Sequence, residues 1–207
     1  PENVDGNWST MGKYTFIHSF GEAKKMHLEV PLTATYNQSV DLMGVDGVAG
    51  SNLSRVYGQS VSVAPCFKAD WGKQHFEITC QPTWERLTGE RADFVDFDAL
   101  TTRTTLSATL KLPWKIDLNT DFSLYTRSGY ADARLNSADW VWNGRLTRPF
   151  FKGSLLVMLD GFDILGQLSN VTRTINAQGR TETFTSVMPS YALMHVVYRF
   201  NKEPKKR

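Results

Sequence analysis

The sequence is poor in cysteine, with two in 207 residues, which excludes a disulfide-stapled scaffold. It lacks long apolar runs as well. Leu155–Leu159, about five residues, is the longest, against the ~20 that a spanning helix needs. Strong charge of one sign is missing too: Lys plus Arg number 23 and Asp plus Glu 21, a net charge of +2. No basic groove with interleaved aromatics is legible, so nucleic acid is not an expected partner. The opening residues Pro1-Glu2-Asn3-Val4-Asp5 carry no secretory signal, as expected of a processed chain or an internal piece. Four histidines, the two cysteines and the carboxylates show no zinc or calcium spacing. The expectation is therefore no metal, no cofactor, no catalytic residue and no enzymatic activity.

What the chain does contain is a period of two. From Leu100 to Leu112, Leu100, Thr102, Thr104, Leu106, Ala108, Leu110 and Leu112 share one face. Thr101, Arg103, Thr105, Ser107, Thr109 and Lys111 share the other. Side chains alternate in this way only along β-strands. The same pattern returns in 25–36, 74–85 and 116–124, where Met26, Leu28, Val30, Phe76, Ile78, Trp84, Leu118 and Phe122 alternate with His27, Glu29, His75, Glu77, Asp117 and Asp121.

Nine main strands are expected, over 12–20, 25–42, 55–70, 74–87, 98–112, 115–128, 138–149, 154–162 and 189–200. Tight connections at Gly21–Lys24, Gly72–Lys73, Pro113–Trp114 and Phe150–Gly153 carry glycine or proline. They alternate with long ones at 43–54, 88–97, 129–137 and 163–188. Pro31, Pro65 and Pro82 interrupt strands and mark candidate bulges. Cys66 and Cys80 fall on opposite faces of neighbouring strands, so no bridge between them is expected.

A long–short rhythm, long alternating runs and full charges on the polar face fit a transmembrane β-barrel, with short periplasmic turns and long extracellular loops. The expected fold class is thus all-β: an antiparallel transmembrane β-barrel segment. Aromatics sort towards the two strand ends. Phe20, Trp71, Trp114, Phe150 and Phe200 lie near the tight turns; Tyr36, Trp84, Tyr125, Trp140 and Trp142 lie near the long loops. Two interfacial girdles are expected from them. The lumen-facing charges expected from the alternation are Glu29, Glu77, Glu85, Arg103, Lys111, Asp117, Asp121, Arg145 and Arg199. Their mixed signs suit docking by ion pairs better than selection of one charge.

The long connection 163–188 is expected to be an extracellular loop. Asp163–Leu168 reads as a short helical turn, and Val171–Ile175 pairs with Arg180–Phe184 as a hairpin. The last strand ends in alternate apolar residues, Ala192, Met194, Val196, Tyr198 and Phe200, before a basic periplasmic tail at 201–207. Tyr198 and Phe200 form the expected assembly signal, read by barrel-assembly machinery.

The ordered set of Lys25–Tyr36, Leu112-Pro-Trp114, Thr120–Tyr130, Trp140-Val-Trp-Asn-Gly144, Phe150-Phe-Lys-Gly153, Leu159–Gln167 and Tyr198-Arg-Phe-Asn201 resembles the C-terminal barrel portion of TonB-dependent-receptor-like outer-membrane proteins. That resemblance implies a barrel of roughly twenty-two strands with a plugged lumen, nutrient uptake across the outer membrane, and indirect dependence on TonB. The implied partners are outer-membrane lipid, a plug domain and further strands outside residues 1–207, or a partner chain. The chain read this way is one barrel segment over 1–207. A structural barrel subunit of an assembly or secretion complex, without transport, is the alternative.

Overall fold

The computed structural model describes residues 5–44, 51–92, 94–130, 133, 136–168, 170–176, 179–185 and 190–200. Twelve strands account for most of them: β1 Trp8–Phe20, β2 Met26–Gly44, β3 Ser51–Val63, β4 Cys66–Trp71, β5 Gln74–Gly89 and β6 Phe97–Leu112. The remainder are β7 Ile116–Ser128, β8 Ala138–Phe150, β9 Leu155–Phe162, β10 Asn170–Asn176, β11 Gly179–Thr185 and β12 Tyr191–Tyr198. Ten of these form one antiparallel sheet in the order β1-β2-β3-β5-β6-β7-β8-β9-β12, with β4 continuing β3 between β2 and β5. β10 and β11 form a separate hairpin, with Val171 opposite Phe184 and Ile175 opposite Arg180, as the sequence led us to expect. No described helix is long and apolar enough to cross a membrane.

The expected third strand is divided at Ala64-Pro65, and no bulge is found there. Leu32 pairs with Val63 and Glu29 with Cys66, so two residues on each strand separate the pairs. Register against β5 also continues, from Ser62–Thr83 to Cys66–Thr79. What fails is the hydrogen-bond ladder. Ala64 N–H donates to the Pro31 carbonyl (2.9 Å) and Cys80 N–H to the Pro65 carbonyl (3.0 Å). Neither proline has an N–H to return the second bond of its pair. Pro82, opposite Thr102 in unbroken register, falls at the same junction. Three expected bulges are thus one weakened seam.

Short turns follow β1, β4, β6 and β8. Glycine and proline are only part of their chemistry. Gly21, Gly72 and Gly153 have positive φ, but so do Ala23-Lys24, Trp114-Lys115 and Phe151-Lys152. These non-glycine pairs accept left-handed backbone because a two-stranded ribbon with right-handed twist closes best through such residues. The expected helical turn at Asp163–Leu168 is instead a single hydrogen-bonded turn, entered through Asp163 at positive φ (43°). Gly166 N–H donates to the Asp163 carbonyl (2.8 Å), and the Asp163 carboxylate accepts from the N–H groups of Gln167 and Leu168.

Amide side chains finish the ladder where one strand outruns its neighbour. Asn7 accepts from Val40 N–H above β1 (2.7 Å), and Gln167 accepts from Trp140 N–H beyond β9 (3.3 Å). Gln74 exchanges two bonds with the Lys111 backbone (2.7 and 3.3 Å). Each keeps a backbone polar group from being orphaned.

Register fixes which residues share a face. Leu28, Phe67, Ile78, Leu106, Phe122 and Trp142 form one continuous cross-strand row. His27, Lys68, Glu77, Ser107, Asp121 and Asn143 form the neighbouring row on the other face. Among the described residues no second layer covers the apolar row: Leu106 is 50% and Val196 57% exposed. Of the five buried apolar side chains among the described residues, Val56, Phe97, Ala99 and Val141 lie on the polar face near the long connections, and Val40 lies on the apolar face near the same end. Phe97 meets Tyr130 edge-on there (5.6 Å), and Phe94 sits over Gly89. Cys66 and Cys80 are free thiols on opposite faces.

Gly129 (φ 87°) has no room for a side chain, because an added Cβ would overlap the Asp98 carbonyl oxygen. Gly72 (φ 64°) faces open space. Gly72→Ala should therefore cost about 1–2 kcal/mol, the left-handed penalty alone. Gly129→Ala should lower the thermal unfolding midpoint by clearly more.

Candidate functional site

The polar face carries the ionisable residues. Strands β5 to β9 together line a hollow of about 360 Å³ there, bordered by His75, Glu77, Asn119, Asp121, Asn143, Arg145 and Asp160. Each strand contributes alternate residues, so five neighbouring strands deliver one dense patch of donors and acceptors.

Asp160 organises its far side. Its side chain is 2% exposed, and it accepts from both Arg145 Nε and Nη2, the latter at 3.1 Å. His195 Nε2 of β12 lies 2.9 Å from its second oxygen. A planar guanidinium fork on a carboxylate gives the two parallel bonds that fix geometry as well as charge. One carboxylate thereby ties β8, β9 and β12 together on the same face.

The remaining groups are paired in the same manner. Asn143 donates to Asp121 (2.8 Å) and accepts from Asp163 N–H (2.8 Å). Thr109 donates to Asn119 (2.9 Å), and Lys111 meets Asp117 at 2.6 Å. His75 Nδ1 lies 2.8 Å from Asp70, and Lys68 lies 3.7 Å from Glu77. Nearer the long connections, Arg127 and Asp139 form a well-shielded pair at 2.9 Å. Arg103 lies over the Tyr125 ring (5.2 Å to its centroid), beside a hollow of about 210 Å³ lined by Gln81, Thr101 and Arg127.

Of the charges named from the sequence, Glu77, Asp121 and Arg145 meet at the larger hollow. Lys111 and Asp117 form a pair just beyond it. Arg103 belongs to the second hollow, and Glu85, opposite Ser60 and Ala99, lies farther towards the long connections. Glu29, opposite Ile17 and Cys66, lies two strands from β5, the near border of that hollow. Arg199 follows β12, its N–H donating to Ser154 (2.8 Å). The tail 201–207 lies outside the described residues. Asp160, His195 and Asn143 were missed. Asp160 interrupts the apolar run of β9, and that interruption was the available signal.

The opposite face has its own chemistry. Its residues carry neither a charge nor an amide side chain from Met26 to Tyr36 on β2, Val61 to Trp71 on β3 and β4, Phe76 to Trp84 on β5 and Leu100 to Leu112 on β6. The same holds from Ile116 to Thr126 on β7, Ala138 to Leu146 on β8 and Ala192 to Phe200 at β12. Gln38, Gln59, Arg86 and Asp98 end these stretches towards the long connections; Gln74 and Arg148 end them towards the short turns. On β1, His18 is an exception, stacked between Phe16 and Phe20. Trp71 (82% exposed) and Trp114 (77%) project at the short-turn end, and Phe200 (87%) follows β12. Indole N–H groups find partners within the wall: Trp84 donates to Asp98 (2.7 Å) and Trp142 to Thr120 (2.9 Å). Two girdle assignments change. Tyr125 sits on the polar face with Arg103, and Trp142 pairs mid-strand with Phe122 rather than at a strand end.

Among the described residues no three histidine, cysteine or carboxylate side chains gather where they would hold a metal ion. Comparison with protein-family models, with curated proteins and with solved structures finds no match to this chain.

Asp160→Ala leaves Arg145 and His195 facing each other without their shared anion. Thermal unfolding should show a larger loss for it than for Asp117→Ala, which breaks an exposed pair worth about 0–1 kcal/mol.

Proposed function

We propose that this chain is part of the wall of an outer-membrane β-barrel, with hydrocarbon on its apolar face and water on its polar face. One observation carries the reading: an exposed face on which most strands of the main sheet present about nine to thirteen residues without a charged or amide side chain, close to the 9–11 tilted residues that cross a bilayer. Soluble monomers rarely expose contiguous apolar patches above a few hundred Å², and this face runs across the whole sheet. Aromatic side chains near both ends of the stretches suit the headgroup levels. The long–short alternation of connections suits extracellular loops and periplasmic turns, with the β10–β11 hairpin on the extracellular side.

Within that frame the chain acts as the C-terminal barrel portion of a TonB-dependent-receptor-like transporter for nutrient uptake. Residues on the polar face would border a plugged, water-accessible lumen, and the last strand would be read by the barrel-assembly machinery. Support for transport is the donor- and acceptor-rich hollow on the lumen side; the substrate is left open by mixed, internally paired charges. A second reading, a structural wall in an assembly or secretion complex, draws on those same pairs, since Arg145–Asp160 and Lys111–Asp117 are satisfied within the wall itself.

Leu106 lies in the middle of its uncharged stretch and Ser107 beside it on the other face. Leu106→Arg should destabilise the membrane-inserted protein by about 2–4 kcal/mol and deplete it from purified outer membranes. Ser107→Arg should leave the level near that of the unmodified protein. Equal tolerance of both changes would contradict the proposal.

A further inference from the structure

Each of the four short turns carries lysine: Lys24 and Lys25 after β1, Lys73 after β4, Lys115 after β6 and Lys152 after β8. We infer that this end of the wall binds the phosphate headgroups of anionic phospholipids through these five side chains, an assignment that rests on the membrane reading above.

Backbone conformation is the first argument. Ala23-Lys24, Trp114-Lys115 and Phe151-Lys152 are left-handed at both positions, with φ between 49° and 60°. Turns of this shape are filled most readily by asparagine, aspartate or glycine, because a Cβ crowds the following carbonyl there. Strand twist thus explains the conformation but not the residue. Lysine is second in all three pairs, and what it adds is its side chain.

That side chain finds nothing to bind within the wall. All five lysines are exposed, and among the described residues no hydrogen bond or ion pair engages their ammonium groups. Other cations at this end are engaged: His75 by Asp70, Lys111 by Asp117 and Arg148 by the Phe150 ring (4.8 Å to its centroid). Residues 21–25, 72–73, 113–115 and 151–154 hold one carboxylate, Glu22, against the five lysines. At the long-connection end the described cations are arginines, Arg55, Arg86, Arg91 and Arg127, and the described carboxylates outnumber them. Of the two ends, only the short-turn one is positively charged.

The neighbours of the lysines favour a lipid surface over an acidic protein. Trp71, Trp114 and Phe151 stand beside Lys73, Lys115 and Lys152 and are 73–82% exposed. Trp71 shares the apolar face with Phe67 and Ala69, opposite Leu28 and Met26. Aromatic rings settle at the boundary between acyl chains and headgroups, which puts the adjacent ammonium groups at phosphate depth. Spacing agrees. Successive turns are two strands apart, about 10 Å, so the charges form a line along the rim rather than a cluster shaped for one partner. Lysine also suits mobile headgroups, being a point charge on a flexible stem that needs no bidentate geometry.

The test places a photo-cross-linking residue at the rim, Trp114→p-benzoylphenylalanine, or in the middle of the wall, Leu106→p-benzoylphenylalanine, in the native protein in purified outer membranes. Captured phospholipids are identified by mass spectrometry. The ratio of phosphatidylglycerol and cardiolipin to phosphatidylethanolamine should be about fivefold higher at 114 than at 106, the selectivity of one lysine near a charged surface. Adding Lys115→Gln should bring the ratio at 114 down to that at 106, and Lys115→Arg should preserve it. Equal ratios at the two sites, a ratio unmoved by Lys115→Gln, or capture of an acidic protein instead of lipid at 114 would overturn the inference and leave the membrane reading standing. Failure to capture any lipid at 106 would defeat the membrane reading, and the inference with it.

Discussion

One constraint governs the rest: a period of two that puts charge on one side of a single sheet and keeps it from the middle of the other. A sheet of ten strands with no covering layer among the described residues has no conventional core. Its apolar residues are exposed and its buried ones are partly polar, Asp160 and Ser123 among them. Such a surface is stable only if its surroundings are as two-sided as the sheet. On the proposed reading, lipid takes the place that a second layer has in a soluble sandwich, and a wet lumen takes the place of bulk solvent.

The polar face then has to hold itself together without a core. It does so by pairing across adjacent strands: Lys111 with Asp117, Arg127 with Asp139, and Arg145 with Asp160 and His195. These links cross the strand-to-strand seams, so they restrain register as well as neutralise charge. The Asp160 group reaches β12, whose outer edge has no partner among the described residues. Amides at Asn7, Gln74 and Gln167 serve the same end for backbone groups at strand termini.

Much of this was legible in the sequence because alternation reports strand faces directly. Leu100–Leu112 gave β6 its length and both its faces, and Val171–Ile175 with Arg180–Phe184 gave the separate hairpin. Pairings between strands were less legible. That Arg145 meets Asp160, and His195 the same carboxylate, depends on register, which alternation leaves free by steps of two residues. The gathering of Pro31, Pro65 and Pro82 at one seam needed register as well. Tyr125 was misassigned for a related reason: its place along the chain suggested a girdle, while its parity put it beside Arg103.

The claim that hydrocarbon meets one face and water the other is tested most directly by nitroxide labels introduced one at a time in the native membrane-embedded protein. Labels at Ile78, Leu106 and Leu146 should be relaxed strongly by oxygen and weakly by a water-soluble nickel chelate, and labels at Glu77, Ser107 and Thr105 should show the reverse. Strong chelate access on both faces would contradict the account.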